Sequence, residues 1–216
     1  MKKISFIFVF TLSILWMSCK NNSEAQNIET EQPKTENSNP AASPSETMMG
    51  SVNDLKANAE ILRKTTPITK EVFKEWLPDE LLGMQRTGYT LGTMVMGEIA
   101  SMEAHYTSPD NVRKLKVELM DCAGEMGASV AMAAQATLAM DYEEESETKS
   151  ERTITKNGVR AVEKYNKKKG TTVVESLFGN RFYIKVTGEK MEPDDVWEAL
   201  TALQVEKLFQ STNGNQ

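Results

Sequence analysis

The chain holds only one histidine and two cysteines among its 216 residues. Zinc sites and catalytic triads rely on histidine and cysteine together, so neither a multi-histidine metal site nor a complete triad is expected. His105 falls on the polar face of a predicted strand, where a lone histidine is more often solvated or hydrogen-bonded than a catalytic base. No catalytic residue, metal site or cofactor is assigned, and a binding protein is expected rather than an enzyme.

The two cysteines are not expected to form a disulfide. Cys19 follows the apolar run that begins the chain, where modification of its thiol is expected, and Cys122 then has no partner. We interpret Cys122 as a buried, inert thiol beside Gly124 and Gly127, which permit a helix to pack closely. The alternative is a thiol with a lowered pKa at a helix N-terminus, or an anion-binding loop. No Lys-Ser or Lys-Thr follows these glycines as it would in a phosphate-binding loop.

Long apolar runs are also missing, apart from one at the start of the chain. Lys2 and Lys3 precede the apolar run at 4–17. This run is about 14 residues long, whereas a helix needs roughly 20 to span a bilayer. The pattern is typical of a signal peptide at residues 1–18.

The run ends in Trp16-Met17-Ser18-Cys19, which resembles the lipobox of bacterial lipoproteins, although Trp16 stands where that class prefers leucine. The resemblance implies cleavage before Cys19, acylation of Cys19 with palmitate-type chains, and anchoring in the bacterial cell envelope. Without an acidic cluster after the cysteine, the outer membrane facing the periplasm is the expected location. The alternative is ordinary secretion, with cleavage after Ser23-Glu24-Ala25.

Residues 19–50 are predicted to be the lipidated cysteine and a disordered tether, because Asn, Ser, Glu, Thr and Pro dominate and cannot bury enough apolar surface. A single domain is predicted at 51–212. Loss of Lys2 and Lys3 with the signal peptide would change the formal charge from −6 to −8. An acidic chain argues against nucleic acid as a partner.

Periodicity in the domain predicts an α+β fold, with an antiparallel meander sheet of about six strands and helices packed on one face. Four helices are predicted. They lie at 54–64, from Thr69 until Pro78, in the Ala- and Met-rich segment that follows 121–129 and runs to about Met140, and from Pro193 to Phe209. The predicted strands lie at 100–106, 112–120, 153–156, 159–165, 171–178 and 181–187. The expected core residues of the last four strands are Val162, Val174, Phe182, Ile184 and Val186.

Two charged segments have alternative interpretations. The acidic run 143–147 lacks the alternating ligands of a calcium loop and is predicted to be a solvated strand entry. Lys164 and Lys167–Lys169 form a basic turn that could bind phosphate or lipopolysaccharide, although charged turns usually keep a sheet edge in water.

The hairpins from Gly158-Val-Arg-Ala-Val to Phe182-Tyr-Ile-Lys-Val, with the closing helix, resemble the layout of PsbP-like domains. This resemblance implies an accessory role in binding or assembly. The expected function is a membrane-anchored interaction or assembly module with an envelope protein as partner. The alternative is a periplasmic carrier of a lipid or another apolar molecule, held between the Met-rich helix and the sheet; an enzyme is the third class.

Overall fold

A computed structural model of the chain describes residues 44–94 and 99–213, with side chains described over 52–92 and 99–210. The predicted signal peptide, Cys19 and tether residues 20–43 lie outside the described residues. The helices are α1 (Pro44–Lys64), α2 (Lys70–Trp76), α3 (Glu125–Ala139), α4 (Pro193–Ala202) and α5 (Lys207–Asn213). The strands are β1 (Glu80–Leu81), β2 (Met84–Met94), β3 (Ile99–Thr107), β4 (Lys114–Asp121), β5 (Glu143–Glu145), β6 (Lys149–Lys156), β7 (Val159–Asn166), β8 (Thr171–Phe178) and β9 (Phe182–Glu189).

The nine strands of the described residues form one antiparallel sheet, in the order β1-β2-β3-β4-β9-β8-β7-β6-β5. Two meanders meet where β4 pairs with β9, and α3 lies between them in the chain. The α+β class and the antiparallel meander are confirmed, but the prediction of about six strands was wrong. β1 and β5 have only two and three residues, and β2 carries glycine and threonine in place of a clear apolar alternation.

The main core lies on the sheet face that carries Val117, Val174 and Ile184, which are fully buried. We call this the α4 face, because α4 packs on β8 and β9 there, and α2 and α5 join the same cluster through Phe73 and Leu208. Strict alternation in β4 and β9 buries every second side chain against these helices. The predicted burial of Val174, Phe182, Ile184 and Val186 is therefore confirmed.

The opposite face, carrying Glu118, Glu175 and Tyr183, is called the α3 face. Helix α3 packs there on β7, β8 and β9, and α1 packs on α3. Helices therefore lie on both faces of the sheet, and the prediction of helices on one face was wrong. The predicted core residue Val162 is buried, but it lies on the α3 face opposite Glu175.

Helix boundaries differ from the predictions at both ends of the domain. α1 begins at Pro44, ten residues before the predicted start, so 44–50 of the predicted tether are helical. The closing helix is broken into α4 and α5 at Gln204, whose φ is 49°. The break turns the chain so that Val205 and Leu208 join the core. No helix in the described part of the chain is long and apolar enough to cross a bilayer.

Candidate functional site

The N-terminal end of α3 is held close to the end of β4. A Cβ atom at Gly127 would lie 2.5 Å from the backbone carbonyl carbon of Cys122, so only glycine allows this approach. Ala128 and Ala131 in the next turn are fully buried with Ala59 of α1. The predicted role in close helix packing is confirmed for Gly127. It was wrong for Gly124, whose Cβ would meet no atom within 4 Å and which instead takes a φ of 89° before the helix.

The C-terminal end of α3 is held by Arg160 of β7. The Arg160 Nε donates to the Leu138 carbonyl at 3.1 Å, and its Nη2 donates to the Met140 carbonyl at 3.0 Å. These carbonyls have no partner within the helix, and a cation is favourable at the negative end of the helix dipole. Two fixed ends therefore set the height of α3 above the sheet.

Between these two ends a groove of about 360 Å³ separates α3 from β7, β8 and β9. The small side chains of Ala133 and Ala134 leave this space unfilled, and the walls are mainly apolar. We call it the α3 groove. Its lining residues are Met120, Val130, Ala133, Ala134, Thr137, Leu138, Val162, Glu175, Ser176 and Tyr183.

Tyr183 and Glu175 place hydrogen-bonding groups in the otherwise apolar groove. The Tyr183 hydroxyl donates to Glu175 Oε2 at 2.9 Å. Burial, and after it the negative charge of Glu175, raises the pKa of Tyr183, so the phenol stays protonated at neutral pH. Lys164 Nζ lies 3.9 Å from Glu175 Oε1 and partly balances its charge.

A second hollow of about 470 Å³ adjoins the groove, with Met120 and Tyr183 lining both. We call it the β2 hollow. Its lining residues are Thr90, Gly92, Ser101, Met102, Glu103, Glu118, Leu119, Met120, Tyr183 and Lys185. Glu118 Oε2 lies 3.1 Å from Lys116 Nζ and 3.5 Å from Lys185 Nζ, so the carboxylate is paired by charge. No described donor meets hydrogen-bond geometry at this buried oxygen.

The sequence-predicted candidates His105 and Cys122 do not share a site. His105 of β3 pairs with Lys116 near the start of β4, and Cys122 directly follows the end of β4. His105 is exposed on the α3 face, with Nε2 2.8 Å from Glu103 Oε1, so the prediction of a solvated or hydrogen-bonded histidine is confirmed. Cys122 is a free, fully buried thiol. Burial raises its pKa from 9.0 to about 11, which excludes a thiolate in the folded protein at neutral pH.

One ion pair joins the acidic run to the basic turn, and a second basic side chain pairs with Glu151 outside the run. Glu145 pairs with Lys167, which also donates to the Ser146 carbonyl at 3.0 Å, and Lys164 Nζ lies 3.4 Å from Glu151 Oε1. β5 is an exposed strand of three glutamates, as the predicted solvated strand entry requires. Among the residues that the structure describes, no group of three or more His, Cys, Asp or Glu is placed to hold a metal ion.

Sequence reasoning missed Arg160, Glu175 and Tyr183 as residues of one site. Alternation places Glu175 and Tyr183 opposite the core-facing residues of β8 and β9, and this was the available signal. It could not place α3 above them. No protein-family model, curated protein or solved structure matches this chain.

Proposed function

We propose that this chain is a lipid-anchored binding protein of the bacterial cell envelope, and that the α3 groove is its ligand site. The apolar run before Cys19 and the lipobox-like residues support the lipid-anchored location in the envelope. The observation that carries the binding function is the unfilled apolar groove, whose roof is fixed at both ends. A volume of about 360 Å³ lies within the usual range of roughly 300 to 1,000 Å³ for small-molecule sites.

The lining of the groove favours a lipid chain or a similar apolar small molecule. Ala133, Ala134 and Val162 offer dispersion contacts and little else. The Tyr183–Glu175 pair at one wall can exchange a hydrogen bond with a polar head group. Burial keeps the Cys122 thiol protonated, which supports binding over thiol catalysis.

The groove is tested with full-length protein extracted from membranes in mild detergent. Native mass spectrometry would identify co-purifying apolar molecules, and displacement of 1-anilinonaphthalene-8-sulfonate would report occupancy. Ala134→Leu should fill the groove and abolish both signals. Ala136→Leu is the matched control, because Ala136 is exposed on the same helix and does not line the groove. Equal loss in both variants, or an unchanged signal in Ala134→Leu, would disprove groove binding.

The outer face of α3 supports a second candidate, the interaction module. No charged residue occurs from Met126 to Met140. Met132 is 38% exposed and exposed Ala136 lies one helical turn further on, while Met140, which directly follows α3, is 57% exposed. Met-rich apolar surfaces adapt to partner proteins. Met132→Lys should then prevent cross-linking to an envelope protein while leaving dye binding in the groove unchanged, and Ala134→Leu should do the reverse.

A further inference from the structure

Strand β2 forms one edge of the sheet and is open along most of its length. β1 pairs only with Met84 and Gln85, so no described strand pairs with residues 87–94 on the side away from β3. The backbone N–H and C=O groups of an open edge are a template for another strand. Proteins usually block so long an edge with charged residues, proline or a covering segment.

The two edges of this sheet differ in charge. From Thr87 to Gly97 the sequence contains no charged residue and no proline, in a chain of which 26% of the residues are charged. The opposite edge ends in β5, three exposed glutamates of which Glu144 and Glu145 are paired with lysines. Among the described residues no cation pairs with Glu143, and its charge would repel the same strand of a second copy. Since the chain carries a formal charge of −6, β2 is an edge at which two copies can approach without like-charge contact.

We propose that β2 pairs antiparallel with β2 of a second copy of this chain, around a two-fold axis at Thr90. The pairing would join two nine-stranded sheets into one and cover both open edges. Such an interface is isologous, because each strand contributes the same residues. In this register Gly88 lies opposite the partner's Gly92, and Tyr89 lies opposite the partner's Leu91.

The side chains of β2 suit this register. Tyr89 and Leu91 lie on the α4 face, opposite Ala104 and Met102 of β3. Tyr89 is 42% exposed and Leu91 packs partly against the core. An aromatic residue directly opposite an aliphatic one is a favourable cross-strand pair. On the α3 face, Gly88 and Gly92 present no side chain that would obstruct the second strand.

A cysteine at the two-fold axis tests the register. In Thr90→Cys the two thiols would lie directly opposite, with Cβ atoms about 4.5–5.5 Å apart, within reach of a disulfide after a small adjustment. Mild oxidation of the full-length chain in membranes should give a covalent dimer, and a short bis-maleimide should give the same product. Cys122 is buried and does not compete.

Two controls accompany this cross-link. Thr155→Cys places a thiol on an exposed residue of β6 near the opposite edge and should give no dimer. The wild-type chain measures any cross-link through Cys19. Dimer formation from Thr155→Cys or wild type at the same yield as from Thr90→Cys, or none from Thr90→Cys with either reagent, would overturn the proposed register.

Charge at the axis gives an independent test of the dimer. Light scattering after gel filtration of the detergent-extracted wild type should give twice the chain mass. Thr90→Lys and Thr90→Glu should each weaken self-association on the order of tenfold or more, because like charges would meet at the axis. Mixing these two folded variants should restore a dimer. A monomeric wild type, which another segment or protein on this edge would produce, or a dimer unaffected by Thr90→Lys, would overturn the proposal.

Discussion

Asp121 and Arg181 form the most completely buried ion pair in the described part of the chain. Asp121 is fully buried, and Arg181 donates to its two carboxylate oxygens at 2.7 and 2.8 Å. Asp121 also accepts from the backbone N–H of Ile68 at 2.8 Å and of Ala123 at 3.1 Å. The pair therefore ties the segment before α2 to the ends of β4 and β9.

We expect Arg181→Leu to lower the free energy of unfolding by about 3–5 kcal/mol, because it leaves the buried Asp121 carboxylate without its cation. Urea denaturation would measure the change. The control is Lys149→Ala, which removes an exposed pair to Glu144 and should change stability by less than about 1 kcal/mol. A similar small effect for both variants would show that the Asp121 carboxylate is solvated without Arg181.

The Cys122 thiol should resist alkylation in the native protein at neutral pH and react fully after unfolding. Its pKa in the fold is about 11 against an ordinary value of 9.0, so the unfolded chain loses this proton first. The contribution of the buried, protonated Cys122 thiol to the free energy of unfolding is therefore complete below about pH 9, and it falls as the pH rises toward 11. Mass spectrometry of iodoacetamide adducts would measure the reactivity.

Comparison with Cys122→Ala separates the pH effect of the thiol from that of the buried tyrosines. The raised pKa of Tyr106 acts equally in both proteins, and Cys122 is the smallest of the causes that raise the pKa of Tyr183. The variant should cost about 1 kcal/mol of stability near pH 7. The difference between wild type and variant in the urea midpoint should shrink between pH 9 and pH 11. A constant difference, or rapid labelling of the folded wild type, would contradict the buried, protonated thiol.

Helix α3 is the element on which the candidate site depends. Its first turn rests on the backbone of Cys122, and Arg160 fixes its last carbonyls. Between these ends its small side chains do not reach the sheet closely enough to close the α3 groove. The groove is therefore a consequence of where the ends are held, and moving either end should change its volume.

Gly127→Ala should destabilise the protein by about 1–3 kcal/mol, because the added methyl group overlaps the Cys122 backbone. We also expect faster hydrogen exchange in α3 and weaker dye binding in the α3 groove. Ser129→Ala is the control, because Ser129 is exposed on the same helix and does not line the α3 groove. Chemical denaturation and exchange mass spectrometry compare the two. Equal behaviour of the two variants would mean that α3 shifts at no cost.

For the whole molecule, the proposed membrane attachment depends on Cys19. Cys19→Ser should prevent acylation and move the protein from the membrane fraction to the soluble fraction, since no described helix can span a bilayer. Fractionation with metabolic palmitate labelling would measure both effects. Thr35→Ser, in the predicted tether, leaves Trp16-Met17-Ser18-Cys19 unchanged and is the control. A wild-type protein that is already soluble and begins at Gln26 would establish ordinary secretion instead.

Much of the fold could be predicted from local pattern. Alternation in β8 and β9 identified the core residues that are buried there, since a strand with one face in the core repeats every second residue. The Asn157-Gly158 and Gly179-Asn180 turns have a signal of the same local kind, because asparagine and glycine tolerate the positive φ that all four residues take. Pro193 at the start of α4 was a comparably local signal.

The candidate site was not predictable in the same way. Tyr183 and Arg160 are far apart in sequence from the helix that they contact, and nothing near them indicates it. Strand β2 escaped detection because an edge strand buries little and keeps glycine and threonine where a central strand needs larger side chains. α3 packs on this face of the sheet because Leu177, Tyr183 and Cys122 at the end of β4 form an apolar surface there.

The amino-acid sequence by itself determined the periodicity, the turns and the helix starts, because these depend on the conformational preferences of neighbouring residues. Only the tertiary structure decided that helices cover both faces, that the sheet has nine strands, and that an apolar groove lies beneath α3. Those features depend on which distant surfaces bury each other, and the free energy of that burial belongs to the pair of surfaces and to neither segment alone.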